Sequence, residues 1–107
     1  MTLEEGVIDE YPITKKLVIS EKIAEKLRVK HKVSKAEIAQ CFQDNDNAFL
    51  TDDREEHASV PQTKWFVAET DKGRILKVCF VPYNGLFYIR TAYEANETEI
   101  KIFEDNI

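Results

Sequence analysis

Glycine is scarce in this sequence, with three residues in 107, and none of them belongs to a nucleotide-binding loop. Neither G-x-G-x-x-G nor G-x-x-x-x-G-K occurs, so no backbone cradle for a phosphate chain is encoded. Histidine is scarcer still. The two histidines lie in different segments and lack the spacing of a helical zinc motif. The sequence therefore predicts no cofactor and no metal site.

Cysteine is also rare, and its two copies lie in apolar runs. Cys41 falls in IAQCF and Cys79 in LKVCFV, contexts in which cysteine packs as a small hydrophobic residue. Burial disfavours the thiolate, which argues against a Cys–His nucleophile. We expect two core thiols in a reducing cytoplasm, with a buried disulfide as the alternative.

An excess of positive charge is missing as well. Fifteen Lys and Arg face twenty Asp and Glu, so the formal net charge is −5. Proteins that bind nucleic acid by themselves are usually basic, so contact with RNA requires a local positive patch.

Long apolar runs are absent too. No stretch approaches the roughly 18 apolar residues of a membrane span. The acidic start MTLEEGVIDEYP has no apolar run after a basic segment, unlike a secretory signal. We predict no membrane contact and a cytoplasmic location.

The length fits one domain. Residues 1–13 are predicted to form a flexible acidic arm that ends at YPIT, and residues 14–107 a single α+β domain. Within that domain, the turn-rich segment 43–63 reads as a long loop, which in a compact domain is either functional or disordered.

Three helices are predicted from their N-terminal signals. Ser20 precedes the amphipathic stretch EKIAEKLRVK. Ser34 and Glu37 form an S-x-x-E capping box that starts the second helix. Asn96 and Glu99 repeat that spacing before a short closing helix.

Three strands are predicted between the second and third helices: KWFVAET (64–70), RILKVCFV (74–81) and LFYIRTAY (86–93). Gly73 and the pair Asn84-Gly85 mark the two hairpin turns. The expected fold is α+β, with two N-terminal helices, a three-stranded antiparallel sheet and a C-terminal helix. A short strand at Phe49–Leu50 would make the sheet four-stranded.

Several charged and polar side chains fall on the long loop or on the strands, namely Arg54, His57, Lys64, Arg74, Lys77, Arg90 and Tyr93. RNA cleavage without a metal needs a base for the 2′-hydroxyl, cations for the charged phosphorane and an acid for the leaving oxygen. These residue types can fill those roles. The alternative is that they are solvated charges paired with nearby carboxylates.

The order of short motifs adds a resemblance. KHKVS before a helix, the acidic DDREEH, KW opening a strand, GRILKVCF and IRTAYEANETE occur in succession. Over residues 20–104 this pattern resembles the BrnT-like toxins and related uncharacterised proteins of the RelE/ParE superfamily. The resemblance implies a RelE-like fold and a ribosome-independent ribonuclease in a bacterial toxin–antitoxin pair, with RNA and an antitoxin protein as partners.

The residues that match the family pattern are Lys30 with His31 for its Lys-His pair, Glu55 or Glu56 for the loop acid, Trp65, Arg74 and Glu99. The chain departs from the pattern where it reads Thr91-Ala92-Tyr93 in place of Ser-Ala-Arg, and at Phe103 in place of Tyr. Tyrosine has neither the charge nor the donor fork of arginine. The predicted site is thus an altered one.

The site hypothesis assigns a role to each candidate. Arg74 and Arg90 would stabilise phosphate charge, His57 or Glu55 would transfer protons, and Tyr93 would orient or donate. The substrate-binding candidates are His31, Lys64 and Lys77. The alternative function is a non-catalytic protein-interaction module that uses an exposed sheet edge with Trp65 and Tyr88.

Overall fold

The computed structural model describes residues 16–45, 48–52 and 62–107, and the predicted acidic arm lies outside them. The chain is a mixed α+β fold, as predicted. Its strands are β1 (Leu17–Val18), β2 (Leu50–Thr51), β3 (Lys64–Glu69), β4 (Ile75–Tyr83) and β5 (Leu86–Glu94). Its α-helices are α1 (Glu21–Lys26), α2 (Lys35–Asp44) and α3 (Glu97–Asp105).

Over the residues that the structure describes, the sheet has five strands in the order β1-β5-β4-β3-β2, so the predicted number of three or four strands was wrong. The antiparallel meander β3–β4–β5 forms as expected, but β1 adds a parallel pairing with β5 that makes the sheet mixed. Both edge strands are two residues long, too short to show an alternating pattern in the sequence. Short edges also leave few unpaired backbone groups for aggregation.

The helical region before the sheet also differs from two plain helices. α1 begins at the predicted N-cap, where the Ser20 hydroxyl accepts from the Ile23 N–H, but it ends after six residues. Leu27–His31 continue as a π-helix that stops at Lys32, whose φ of 57° is left-handed. This ending lacks the glycine that usually marks a left-handed cap, so the sequence contained no signal for it.

The other two helix starts are confirmed. Ser34 and Glu37 exchange both hydrogen bonds of a capping box at α2, and Asn96 and Glu99 do the same at α3. The hairpin turns are confirmed too. Asn84 and Gly85 both have positive φ, as a two-residue type I′ turn requires.

Both faces of the sheet are covered by helices. On one face α2 packs on the sheet, and its Phe42 forms an aromatic cluster with Phe49, Phe66, Phe80 and Phe87. On the other face Phe103 of α3 lies 6.0 Å from Trp65 between ring centroids. Neighbouring strand residues point to opposite faces, so Lys77 projects toward α3 while Val78 enters the aromatic side. Cys41 and Cys79 are both buried, and the two are not joined in a disulfide.

Among the described residues, no helix has the length and apolar character needed to cross a membrane.

We expect Phe42→Ala to lower the free energy of unfolding by about 3–5 kcal/mol, because it leaves a cavity where four other rings meet. Urea denaturation measures the change. Val29→Ala is the control, since Val29 is 53% exposed and its loss should cost less than about 0.5 kcal/mol. Equal losses in the two variants would contradict the assigned core.

Candidate functional site

Arg74 ties the β3–β4 turn to the helical layer. One guanidinium nitrogen donates to Glu37 Oε2 at 2.8 Å and to the carbonyl oxygen of Lys32 at 2.8 Å. Nε donates to Glu94 Oε2 at 3.2 Å. Glu37 also accepts the Ser34 N–H, so one arginine fixes both the end of the π-helix and the start of α2. Most of its donors are therefore used inside the fold.

A basic cleft opens beside this arginine. It has a volume of about 440 Å³ and is lined by Lys30, His31, Lys32, Arg74, Tyr93 and Glu94. Three of these side chains are cationic and one is a carboxylate, in a chain whose net charge is −5. The lysines of the cleft are exposed. The lining of this cleft therefore has more cationic than anionic side chains, whereas the chain as a whole is net negative.

The end of the π-helix places the three consecutive residues 30–32 in the lining of the cleft. Its wider turn ends at the left-handed Lys32, so the chain leaves the helix next to Arg74. Single π-helical turns often mark functional sites. Here the turn places a histidine between two lysines, facing the last strand.

His31 lies against Tyr93, with 5.7 Å between the ring centroids. Burial lowers the pKa of His31 below its ordinary value, and the positive charges of Lys30 and Lys26 lower it further. The imidazole is therefore neutral at pH 7 and has a free lone pair on one ring nitrogen. That is the protonation state of a general base.

Glu99 connects the cleft to the interior. Its Oε2 accepts the Tyr93 hydroxyl at 2.9 Å and the Lys77 ammonium at 3.2 Å, while Oε1 accepts the Asn96 N–H. Burial alone would raise the pKa of Glu99, but the donors from Asn96, Tyr93 and Lys77 outweigh it, and the pKa is lowered. Because Tyr93 donates its hydrogen to a carboxylate, its hydroxyl is oriented by Glu99.

Lys77 is the most unusual member of this group. It is 4% exposed, and its ammonium lies 4.4 Å from the centre of the Trp65 ring. A buried ammonium needs both a counter-ion and hydrogen bonds. Glu99 supplies the charge, and the indole face adds a cation–π contact.

The structure brings together some of the predicted site residues and separates others. His31, Arg74 and Tyr93 share the cleft, and Lys77 reaches Tyr93 through Glu99. Lys64 lies on β3 and donates to Thr51 on the edge strand at 2.7 Å. Arg90 is exposed at an irregularity between β4 and β5, away from the cleft lining. Glu55 and His57, with Arg54 and Glu56, lie outside the described residues.

Two lysines and one glutamate have roles here that the sequence does not signal. Lys30 stands out in the sequence only as the neighbour of His31, and nothing in the sequence places Lys32 beside Arg74. Glu37 has the spacing of a helix cap, but it also binds the Arg74 guanidinium. The family resemblance points to Glu99. In the structure this glutamate of α3 accepts hydrogen bonds from Lys77 on β4 and Tyr93 on β5.

The described residues contain no group of three or more His, Cys, Asp or Glu side chains placed to hold a metal ion. Burial raises the pKa of Cys41 to about 12, so that thiol is not a nucleophile at neutral pH. The chemistry available in the cleft is acid–base and electrostatic.

Comparison with models of known protein families gives no match, and comparison with curated proteins gives none either.

Replacement of Arg74 by lysine tests its structural role. We expect Arg74→Lys to lower the free energy of unfolding by about 1–3 kcal/mol, because one ammonium cannot reach the Glu37 carboxylate, the Lys32 carbonyl and Glu94 together. Arg90→Lys is the matched control at an exposed site and should change stability by less than about 0.5 kcal/mol. A thermal or urea denaturation series in which both variants match wild type would refute the role.

The stability should also fall in acid. Glu37 and Glu99 have lowered pKa values in the folded chain, so the unfolded chain binds protons more readily as the pH drops. Their contribution is fully present above the ordinary carboxyl pKa of 4.5 and is lost as the pH falls through the folded values. Urea denaturation at a series of pH values should show this loss, and Glu99→Gln should make it shallower. An unchanged acid dependence in the variant would contradict the assignment.

Proposed function

We propose that this chain is a toxin-like protein of the BrnT/RelE type that cleaves RNA in the bacterial cytoplasm through an altered site. The observation that carries the proposal is the basic cleft, where a neutral His31 lies between exposed lysines and against Tyr93. The order of motifs supports the same family and a RelE-like form of the α+β fold. The two buried cysteines, which form no disulfide with each other, fit a reducing compartment.

The mechanism follows from the groups in the cleft. A neutral His31 takes the proton of a ribose 2′-hydroxyl, whose oxygen then forms a bond to the adjacent phosphorus. The ammonium groups of Lys30 and Lys32 stabilise the charge on the phosphorane. The bond to the 5′-oxygen breaks, and a lysine ammonium supplies that oxygen with a proton, leaving a 2′,3′-cyclic phosphate.

Tyr93 has a positioning role in this mechanism. Its hydroxyl hydrogen is directed to Glu99, and its ring packs against His31. The family's arginine at this position would add a charge to the cleft. In this chain the lysines on either side of His31 carry that charge instead.

Controlled expression in a bacterium tests the proposal. Wild-type chain is expected to slow growth and degrade bulk RNA, and His31→Gln to reduce cleavage of RNA by the purified protein roughly 100-fold or more, because the base is lost. The His31 backbone carbonyl, which accepts from Arg74, is unaffected by that change. Folded wild-type protein that leaves growth and RNA intact would refute ribonuclease function.

A pair of charge variants separates cleft chemistry from net charge. Lys30→Gln with Lys32→Asn removes two cleft cations, and asparagine tolerates the left-handed backbone at residue 32. We expect this double variant to lose RNA binding and cleavage. The control, Lys22→Gln with Lys101→Gln, changes net charge equally outside the cleft and should retain both. Equal loss in the two double variants would mean that only overall charge matters.

A protein-interaction module is the second candidate. Trp65 is buried and cannot serve an exposed edge, but Tyr83 is 59% exposed and Tyr88 is 36% exposed on the same face of the sheet. These aromatics offer a surface for an antitoxin-like partner. This candidate gains support if RNA stays intact and Tyr83→Ser with Tyr88→Ser abolishes co-purification of one defined partner.

A further inference from the structure

A second cavity lies on the other side of Glu99 from the basic cleft. We call it the Trp65 pocket. It has a volume of about 470 Å³ and is lined by Leu50, Thr51, Asp52, Trp65, Lys77, Glu99, Ile102 and Asn106. Its size is in the range of small-molecule sites, and its combination of apolar walls with a few polar groups is typical of them.

The polar groups of this pocket include both donors and acceptors. The Lys77 ammonium gives one hydrogen bond to Glu99 and has further hydrogens to offer. The Thr51 hydroxyl accepts from Lys64, which leaves its own hydrogen available as a donor. The carboxylates of Asp52 and Glu99 accept. A ligand that fits has donors and acceptors close together on one edge.

The charge of the lining selects against anions. One ammonium faces two carboxylates, and the ammonium is already paired with one of them at 3.2 Å. A phosphate or carboxylate ligand would be repelled here, whereas the basic cleft would attract it. A neutral ring with an amino group could donate to the carboxylates of the lining. Its apolar surface could pack against the side chains of Trp65, Leu50 and Ile102.

The two cavities share one carboxylate. Glu99 Oε2 accepts a hydrogen bond from the ammonium of Lys77, which lines the pocket. It also accepts one from the hydroxyl of Tyr93, which lines the cleft. One lining residue of each cavity therefore meets the other at this carboxylate, at 3.2 Å for Lys77 and 2.9 Å for Tyr93. A nucleotide likewise holds a flat base and a phosphate a short distance apart.

We propose that the Trp65 pocket binds a nucleobase that carries an exocyclic amino group, with its phosphate directed to the basic cleft. The phosphate half of this inference rests on the proposed ribonuclease function, whereas the base half rests on the pocket alone. Carboxylates accept from the amino group of cytosine in this way in known complexes. The site therefore predicts a preference for bases with an amino group, such as cytosine and adenine, over uracil, which has none.

Trp65 is the only tryptophan of the chain, so its fluorescence reports on the pocket directly. The experiment titrates purified wild-type protein with cytidine, adenosine and uridine, excited at wavelengths where nucleosides do not absorb. Nucleosides lack phosphate and leave the cleft untested. We expect a saturable change with cytidine or adenosine and roughly tenfold weaker binding of uridine, which has no amino group.

Ile102→Arg fills the pocket from a position that is 45% exposed, so the fold should tolerate it. This variant is expected to lose the cytidine response. Ile75→Arg is the matched control, because Ile75 is 40% exposed and lies on β4 outside the pocket. The control should bind like wild type. Circular dichroism confirms that both variants are folded.

The outcomes separate this inference from the proposed function. No fluorescence response in wild type, an undiminished response in folded Ile102→Arg, or equal affinity for uridine and cytidine would overturn the pocket. Nucleoside binding without any RNA cleavage would support the pocket and overturn the ribonuclease. RNA cleavage without nucleoside binding would do the reverse.

Discussion

The ion pair between Lys77 and Glu99 is the contact on which the rest of this face depends. A lysine that projects from a central strand toward a packed helix buries its ammonium at a high cost in free energy unless a carboxylate meets it. That carboxylate comes from the first turn of α3, which fixes where the helix crosses the sheet. The same carboxylate orients Tyr93, so the position of α3 and the shape of the cleft have one common cause.

The cations of this chain divide into two groups with different partners. Arg74 and Lys77 are paired with carboxylates and hold elements together. Lys30 and Lys32 are exposed at the end of the π-helix, and they are the charges that a phosphate can meet. A protein with a net negative charge can thus keep a positive cleft, because carboxylates pair with Arg74 and Lys77, whereas the lysines of the cleft are exposed to solvent.

Local signals predicted much of the fold. The three helix starts, the long meander and the I′ turn each depend on a few neighbouring residues, and all were visible in the sequence. The two-residue strand β1 and the π-helix were not, because they arise from pairing and packing with distant segments, whereas β2 lies one residue from the short strand predicted at Phe49–Leu50. The same division holds for the site. His31, Arg74 and Tyr93 were named as candidates, but the pairing of Arg74 with Glu37 spans 37 residues and has no local signature.

The parallel pairing of β1 with β5 bears on the order in which the chain assembles. The meander closes through short hairpins, whereas Leu17 reaches its partner Phe87 only across most of the sequence. Loop-closure entropy makes such distant contacts slow to form. We therefore expect the parallel pairing of β1 with β5 to form after the hairpins of the meander.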